Sequence, residues 1–190
     1  MDGAAPRIHP TALVESDAIG PGTVIWAFAH VMAGAVIGRD CKIGDHAFIE
    51  SGATLGDHVT VKNGVSIWKH VRVGDRVFLG PNAVLTNDLY PRAGAERWDP
   101  VDTWIEEGAT VGANATVVCG VRLGRHCLVG AGAVVTADVP PHALVVGNPA
   151  RQQGWVCRCG RPLPGSGARM ACAPCGRVWD LSGATLVEHG

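Results

Sequence analysis

Along the first half of the chain an aliphatic residue returns at every sixth position: Leu13, Ile19, Ile25, Val31, Ile37, Ile43, Ile49, Leu55, Val61, Ile67, Val73, Leu79 and Leu85. No member of this run is polar. Four residues after most of them stands a smaller residue, as in Thr23, Ala29, Ala35, Cys41, Ala47, Ala53 and Val59. The series stops at Leu85 and resumes out of phase at Ile105, Val111, Val117, Leu123, Val129 and Val135. A step of six is too long for strand alternation and does not fit a helix, but three steps close one turn of a triangular solenoid. The large residue and its small partner would then fill a narrow interior. The pattern predicts an all-β fold of about six coils, which at ordinary strand spacing makes a prism roughly 30 Å tall.

The residue after each aliphatic position is expected at a corner. One edge then carries Gly20, Gly38, Gly56 and Gly74, where turns of positive φ would favour glycine. A second edge is mixed, with Trp26, Gly44, Lys62 and Gly80, and the third has no glycine: Met32, Glu50, Trp68 and Thr86. The chain leaves the solenoid on that third edge. From Leu85 to Ile105 the step is twenty residues, not a multiple of six, so residues 86–104 read as an inserted loop. Its sequence, TNDLYPRAGAERWDPVDTW, is too aromatic for a disordered linker, and a long loop in a compact repeat protein commonly carries function.

Composition agrees with stacked short strands: glycine is abundant at 26 residues, and aromatic residues make up only 5%. The formal charge of -1 and the lack of a basic block argue against a nucleic-acid or anionic-membrane partner. The opening MDGAAPRIHP has no apolar core of a secretion signal, and no long apolar run suggests a membrane span, so the expected compartment is the cytoplasm.

After NPARQQGW the hexads end, and a tail follows in which Cys157, Cys159, Cys172 and Cys175 are spaced C-x-C-x12-C-x2-C. Gly160 and Gly176 follow the second cysteine of each pair. This spacing suits a four-thiolate, tetrahedral Zn2+ site, and a site closed by four cysteines is structural, not catalytic. The competing reading is two disulfides, which a secreted protein would favour. The organisation expected is residues 1–154 as the solenoid and 155–190 as a zinc-ribbon-like module.

The hexads, of the form [LIV]-G-x-x-x-x, resemble those of the left-handed parallel β-helix acyltransferases over about residues 8–150. In detail, the phrases IHPTALVESDAIGPGTVIWAFAHV, LGPNAVLTNDLYPRA, VGANATVVCGVRLG and VGAGAVVTADVPPHALVVGNPARQQGW are similar to enzymes that acetylate a 3-amino sugar on UDP or dTDP. The nearest fit is the UDP-2-acetamido-3-amino-2,3-dideoxyglucuronate N-acetyltransferase group, some of whose members carry a similar cysteine tail. The resemblance implies a left-handed coil, a homotrimer, acetyl-CoA in a groove between neighbouring prisms, and a role in surface polysaccharide or glycoconjugate biosynthesis. It implies a functional asparagine near the reacting amine at Asn87, with Arg92 completing the TNxxxPR element as a substrate contact. It also points to Gly130, Ala131 and Arg151 along the coenzyme path and to His30 as a second catalytic candidate; Asn63, in VKNGVSIW, is a further candidate substrate contact.

An amino group with a pKa of about 7.7 to 8.0 is partly neutral near neutral pH and attacks a thioester once placed against it. Asn87 could accept from that amine while a backbone N–H holds the developing oxyanion. Its bland alternative is an Asx turn at the loop start. His46, His58, His70 and His126 each fall three residues after an aliphatic position and are expected on the solvated surface. Transfer to a sugar or serine hydroxyl is the competing chemistry. It would need a positioned base, and the loop contains no histidine. Two readings of other classes are a γ-type carbonic anhydrase, disfavoured because no two histidines stand five residues apart, and a noncatalytic zinc-ribbon interaction protein.

Overall fold

The computed structural model describes residues 4–165, 167–183 and 185–189. The expected left-handed parallel β-helix is the architecture found. Two-residue strands stack in register into three parallel sheets that wall a triangular prism. The chain passes a first face at Ile25, a second at Val31 and a third at Ile37, then returns to the first at Ile43, one rung higher. Rungs are eighteen residues apart, as in Val61↔Leu79 on the first face. Across the insertion the same pairing spans Leu85↔Val117 on the second face and Val73↔Ile105 on the third.

Each aliphatic residue from Ile25 to Val135 points inward and is almost wholly buried, and the smaller partners Ala29, Ala35, Cys41 and Val59 share the interior. Each buried Ile or Leu contributes about 2 kcal/mol, so the column of rungs, not turn propensity, holds the coil. The first coil departs from the hexad pattern. Leu13 pairs with the outward His30, and Val14 with the inward Val31. The inward residue there is therefore Val14, and Leu13 is 55% exposed. Only five residues separate Val14 from Ile19, so the corner between them is one residue short.

The edge glycines act differently from expectation. Gly20, Gly38, Gly56 and Gly74 do not have positive φ; that conformation falls two residues later, on Gly22, Asp40, His58 and Arg76. What requires glycine at Gly38 is the coil above it, because a Cβ there would stand 2.5 Å from the Gly56 carbonyl oxygen. Positive φ recurs three residues after the inward aliphatic, and His46, His58, His70, His126 and His142 all occupy such positions.

The solenoid ends where Arg151–Trp155 folds back antiparallel on Ala143–Val146. Beyond it, Arg169–Ala171, Val178–Ser182 and Thr185–Glu188 make a three-stranded antiparallel sheet with its own core of Cys157, Leu163, Met170, Cys172, Trp179 and Leu186. Trp155 packs against both cores. No helix among the described residues is long and apolar enough to cross a membrane.

Candidate active site

The inserted arm occupies residues 86–102; Thr103 and Trp104, expected within it, already belong to the next strand, Thr103–Ile105. It leaves on the edge between the second and third faces, the edge without glycine. Its two ends are fixed to one turn of the coil above. The Thr86 hydroxyl accepts the Cys119 amide at 2.9 Å, and the Thr103 hydroxyl accepts the Gly120 amide at 3.2 Å. Cys119 is a buried turn residue. The neck closes where the Val101 amide donates to the Asn87 carbonyl at 3.3 Å.

Asn87 is half-buried at this neck. The Asx turn that was its bland alternative belongs to the next residue, since the Asp88 carboxylate accepts the Tyr90 amide at 3.0 Å. Among the described residues, the Asn87 side chain has no hydrogen-bond partner. Arg92 is exposed further out on the arm, its guanidinium donating to the Pro91 carbonyl at 3.2 Å.

The structure does not bring His30 to this neck. His30 lies on the outward side of the second face, three rungs below Val84 in the row His30, Phe48, Ser66, Val84, or roughly 14 Å at ordinary strand spacing. Its Nε2 is 3.2 Å from the Glu15 carboxylate and its ring meets Phe48 edge-on. Asn63, Gly130 and Ala131 stand on the other edge of that face. Asn63 is exposed beside Trp26, Lys42 and Asp45 around a shallow hollow of about 310 Å³, and its carbonyl accepts the Asn82 amide. The Gly130 amide donates to Val145, and a Cβ at Gly130 would stand 2.7 Å from Val146. Arg151 is exposed at the end of the first-face sheet. In a single chain the candidate amine contacts and most of the candidate coenzyme contacts are thus separated by the full width of the second face.

Of the four histidines expected on the solvated surface, His70 and His126 are drawn into larger contacts. His70 Nδ1 lies 2.7 Å from the Asp102 carboxylate, the His70 carbonyl accepts the Thr103 amide at 3.0 Å, and Trp98 meets the ring edge-on at 6.4 Å between centroids. Two of these contacts come from the returning limb of the arm and the third from the first residue of the strand that follows it. The sequence gives no sign of this, because His70 stands at the same repeat position as His46 and His58. His126 packs on His142, which in turn packs on Trp179 of the tail at 4.5 Å. Burial depresses the His126 pKa, with the neighbouring His142 adding to the effect. Burial also depresses that of His142, against the opposing pull of its Nδ1 contact with the Val156 carbonyl.

The four tail cysteines converge. Their sulfurs all lie within 4.8 Å of one another, with Cys157–Cys175 and Cys159–Cys172 each at 3.5 Å. Tetrahedral ligation with Zn–S bonds of about 2.3 Å needs sulfurs about 3.8 Å apart, close to the spacing found. Gly160 and Gly176 have positive φ, and their amides close the two knuckles onto Cys157 and Cys172. Burial pushes the Cys172 thiol up to about 12, while the Arg177 backbone N–H brings Cys175 down to about 6. The buried Trp179 Nε1 has no hydrogen-bond partner among the described residues. Burial raises the Cys157 pKa, but the Trp179 indole N–H acts on that sulfur in the opposite sense, as a donor to a thiolate would. A thiolate at Cys157, as a bound metal would create, would give this orphaned donor an acceptor.

Residues 18–51 and 52–87 match the bacterial transferase hexapeptide (six repeats) model, and residues 103–137 match the hexapeptide repeat of succinyl-transferase. The gap between the matched segments, residues 88–102, is the part of the arm beyond Asn87. The dTDP-3-amino-3,6-dideoxy-alpha-D-galactopyranose 3-N-acetyltransferase of Aneurinibacillus thermoaerophilus is 46% identical over 152 residues, covering 80% of this chain and 79% of that protein. The chain belongs to the hexapeptide-repeat transferase family. Among solved structures, this hexapeptide-repeat protein is similar to the acetyltransferase domain of PglB from Neisseria gonorrhoeae, in complex with acetyl coenzyme A, at 26% identity and a TM-score of 0.54. It is also similar to PerB from Caulobacter crescentus, in complex with CoA and GDP-perosamine, at 26% identity and a TM-score of 0.52. It spans 58% of the length of each, and they cover 79% and 80% of it respectively.

Proposed function

We propose that this protein transfers the acetyl group of acetyl-CoA to the amino group at C3 of a UDP- or dTDP-linked amino sugar. The observation that carries this reading is the 46% identity, over four fifths of the chain, to a 3-N-acetyltransferase of a dTDP-linked 3-amino sugar. The arm supports it: its neck presents Asn87, with an uncommitted side-chain amide, where the Asx turn has been left to Asp88. Asn87 orients the amine, Arg92 contacts the nucleotide sugar, and Asn63 adds a substrate contact. Gly130, Ala131 and Arg151 serve the coenzyme, the arginine meeting its phosphates. The attacking nitrogen needs placement against the thioester more than it needs activation.

A homotrimer completes the site in this account. The Asn87 edge and the Gly130 edge flank one face, so a groove between two prisms brings one copy's arm to another copy's coenzyme contacts. The outward row of the second face is largely uncharged, with Leu13, Phe48, Ser66, Val84, Thr116 and Val134 around the single His30, which suits burial between copies. Residues 155–190 form a zinc-ribbon module in which Cys157, Cys159, Cys172 and Cys175 hold a structural Zn2+. The metal would fix the two knuckles that carry the antiparallel sheet.

The test is acetyl transfer from acetyl-CoA to a panel of UDP- and dTDP-linked 3-amino and 4-amino sugars. The reading expects a 3-amino sugar to be converted to its amide; transfer only to hydroxyl groups contradicts it.

A further inference from the structure

Resting on the zinc-ribbon reading above, we propose that the four tail cysteines are an oxidation site as well as a metal site. A peroxide converts them into two bridges, Cys157–Cys175 and Cys159–Cys172, which replace the metal as the clip between the two knuckles. These two pairs meet sulfur to sulfur at 3.5 Å, and both run from one knuckle to the other. A disulfide bond is about 2.05 Å long, so each pair has about 1.5 Å left to close. The knuckles that place the sulfurs are built from backbone hydrogen bonds that need no metal. The Cys157 amide donates to the Arg161 carbonyl and the Cys172 amide to the Arg177 carbonyl, each at 2.8 Å.

Each pair joins an exposed cysteine to a buried one. Cys159 and Cys175 are exposed, whereas Cys157 and Cys172 are buried. An oxidant in solution reaches the first two, and the buried partner is already in contact to complete the bond. The remaining cysteines do not compete: Cys41 and Cys127 point into the solenoid interior, and Cys119 is buried at the turn above the arm. The pairing also decides what the bridges hold together. Cys157 follows Val156, whose amide donates to the His142 carbonyl at 2.8 Å and whose carbonyl meets His142 Nδ1 at 3.0 Å, so the first knuckle is anchored to the end of the solenoid. Cys172 follows Arg169–Ala171, a strand of the tail sheet. A link between the knuckles therefore ties that sheet to the prism, and a link within one knuckle does not.

The chemistry balances with a peroxide as the oxidant. An exposed thiolate, Cys159 or Cys175, attacks hydrogen peroxide; the O–O bond breaks, the sulfur becomes a sulfenic acid, and hydroxide leaves. The buried partner's thiolate attacks that sulfur, the S–S bond forms, and a second hydroxide leaves. Each bridge takes two electrons from two sulfurs and reduces one peroxide, so two peroxides convert one chain. Zinc is bound by thiolates, so the four sulfurs lose their hold on it as the bridges form. A dithiol reductant reverses both bonds by exchange.

The experiment treats the reduced, zinc-supplemented full chain with hydrogen peroxide. It follows zinc release, free thiols in denaturant, bridge positions by peptide mass spectrometry, and the rate at which a protease cuts the tail. The expected result is release of the zinc with loss of four of the seven thiols, as the bridges Cys157–Cys175 and Cys159–Cys172, and full recovery with a dithiol reductant and zinc. The oxidised tail should be cut within about threefold of the rate of the zinc form, and the chelated, reduced tail at least about tenfold faster, since cutting tracks local opening. In Cys175→Ser, Cys159–Cys172 should be the bridge that forms. A bridge within one knuckle, such as Cys172–Cys175, or oxidation that a dithiol does not reverse overturns the proposal. So does an oxidised tail cut as fast as the chelated one, or a chelated tail as resistant as the zinc form. Zinc far below one per chain before any oxidant is added would instead refute the reading on which the proposal rests.

Discussion

Thr86 and Thr103, at the two ends of the arm, hold successive amides of a single turn: the first hydroxyl accepts from Cys119, the second from Gly120. An insertion that interrupts a solenoid leaves backbone donors of the next coil without their usual partners. Here two threonine side chains replace them. Thr86→Val or Thr103→Val keeps the shape and removes the acceptor, a cost of about 1–3 kcal/mol for the amide of the buried Cys119 and less for that of the exposed Gly120. Urea unfolding of each variant measures it. A change below about 0.3 kcal/mol would mean that water or a shifted turn satisfies the amide.

Asn87→Ala is expected to lower kcat at least about tenfold while the fold stays intact, since one modest transition-state contact accounts for that factor. The Asx turn is made by Asp88 and does not depend on Asn87. Near-wild-type turnover of this variant in steady-state assays would remove Asn87 from the chemistry.

The junction between solenoid and tail should weaken in acid. His126 and His142 both have folded-state pKa values held below the ordinary 6.5. Above 6.5 both states are neutral and stability is at its full value. As pH falls below 6.5 the unfolded chain takes up protons that the folded chain refuses, so stability declines until the folded pKa values are passed. Arg158 opposes the protonation of both rings, whereas Glu107 near His126 and Glu188 near His142 favour it. In urea unfolding between pH 7.5 and 5.5 with zinc in excess, the double variant His126→Gln, His142→Gln should lose less stability than wild type. Equal slopes would show that these rings do not control the junction.

Purified protein should contain about one zinc per chain, and Cys172→Ser should lose it. Chelation should also change the emission of Trp179, which lies against both Cys157 and His142. Zinc far below one per chain would rule out the ribbon, and an unchanged indole signal would separate Trp179 from the metal.

Much of the solenoid is legible in the sequence because an inward position recurs strictly and no polar residue tolerates it. The arm is legible for the same reason, as a break in phase at Leu85. The first coil was not. Leu13 and Val14 are both apolar, so the one-residue shortening between Val14 and Ile19 leaves no mark until strand pairing shows which of them faces inward. Glycine alone does not reveal whether it serves φ or close approach, and at Gly38 it is close approach to Gly56. The thiol cluster is visible because local spacing dictates it. His70 and Asp102 meet only through the return path of the arm, a long-range relationship that no local pattern encodes. The lack of a histidine within the arm therefore did not mean the lack of one at its neck.

The account rests on the identity of the acceptor, and the most direct measurement is incubation with acetyl-CoA and a dTDP- or UDP-linked 3-amino sugar, followed by NMR of the product. The predicted result is a new amide on the C3 nitrogen with stoichiometric release of CoA. An ester on a sugar hydroxyl, with the amine untouched, would contradict it.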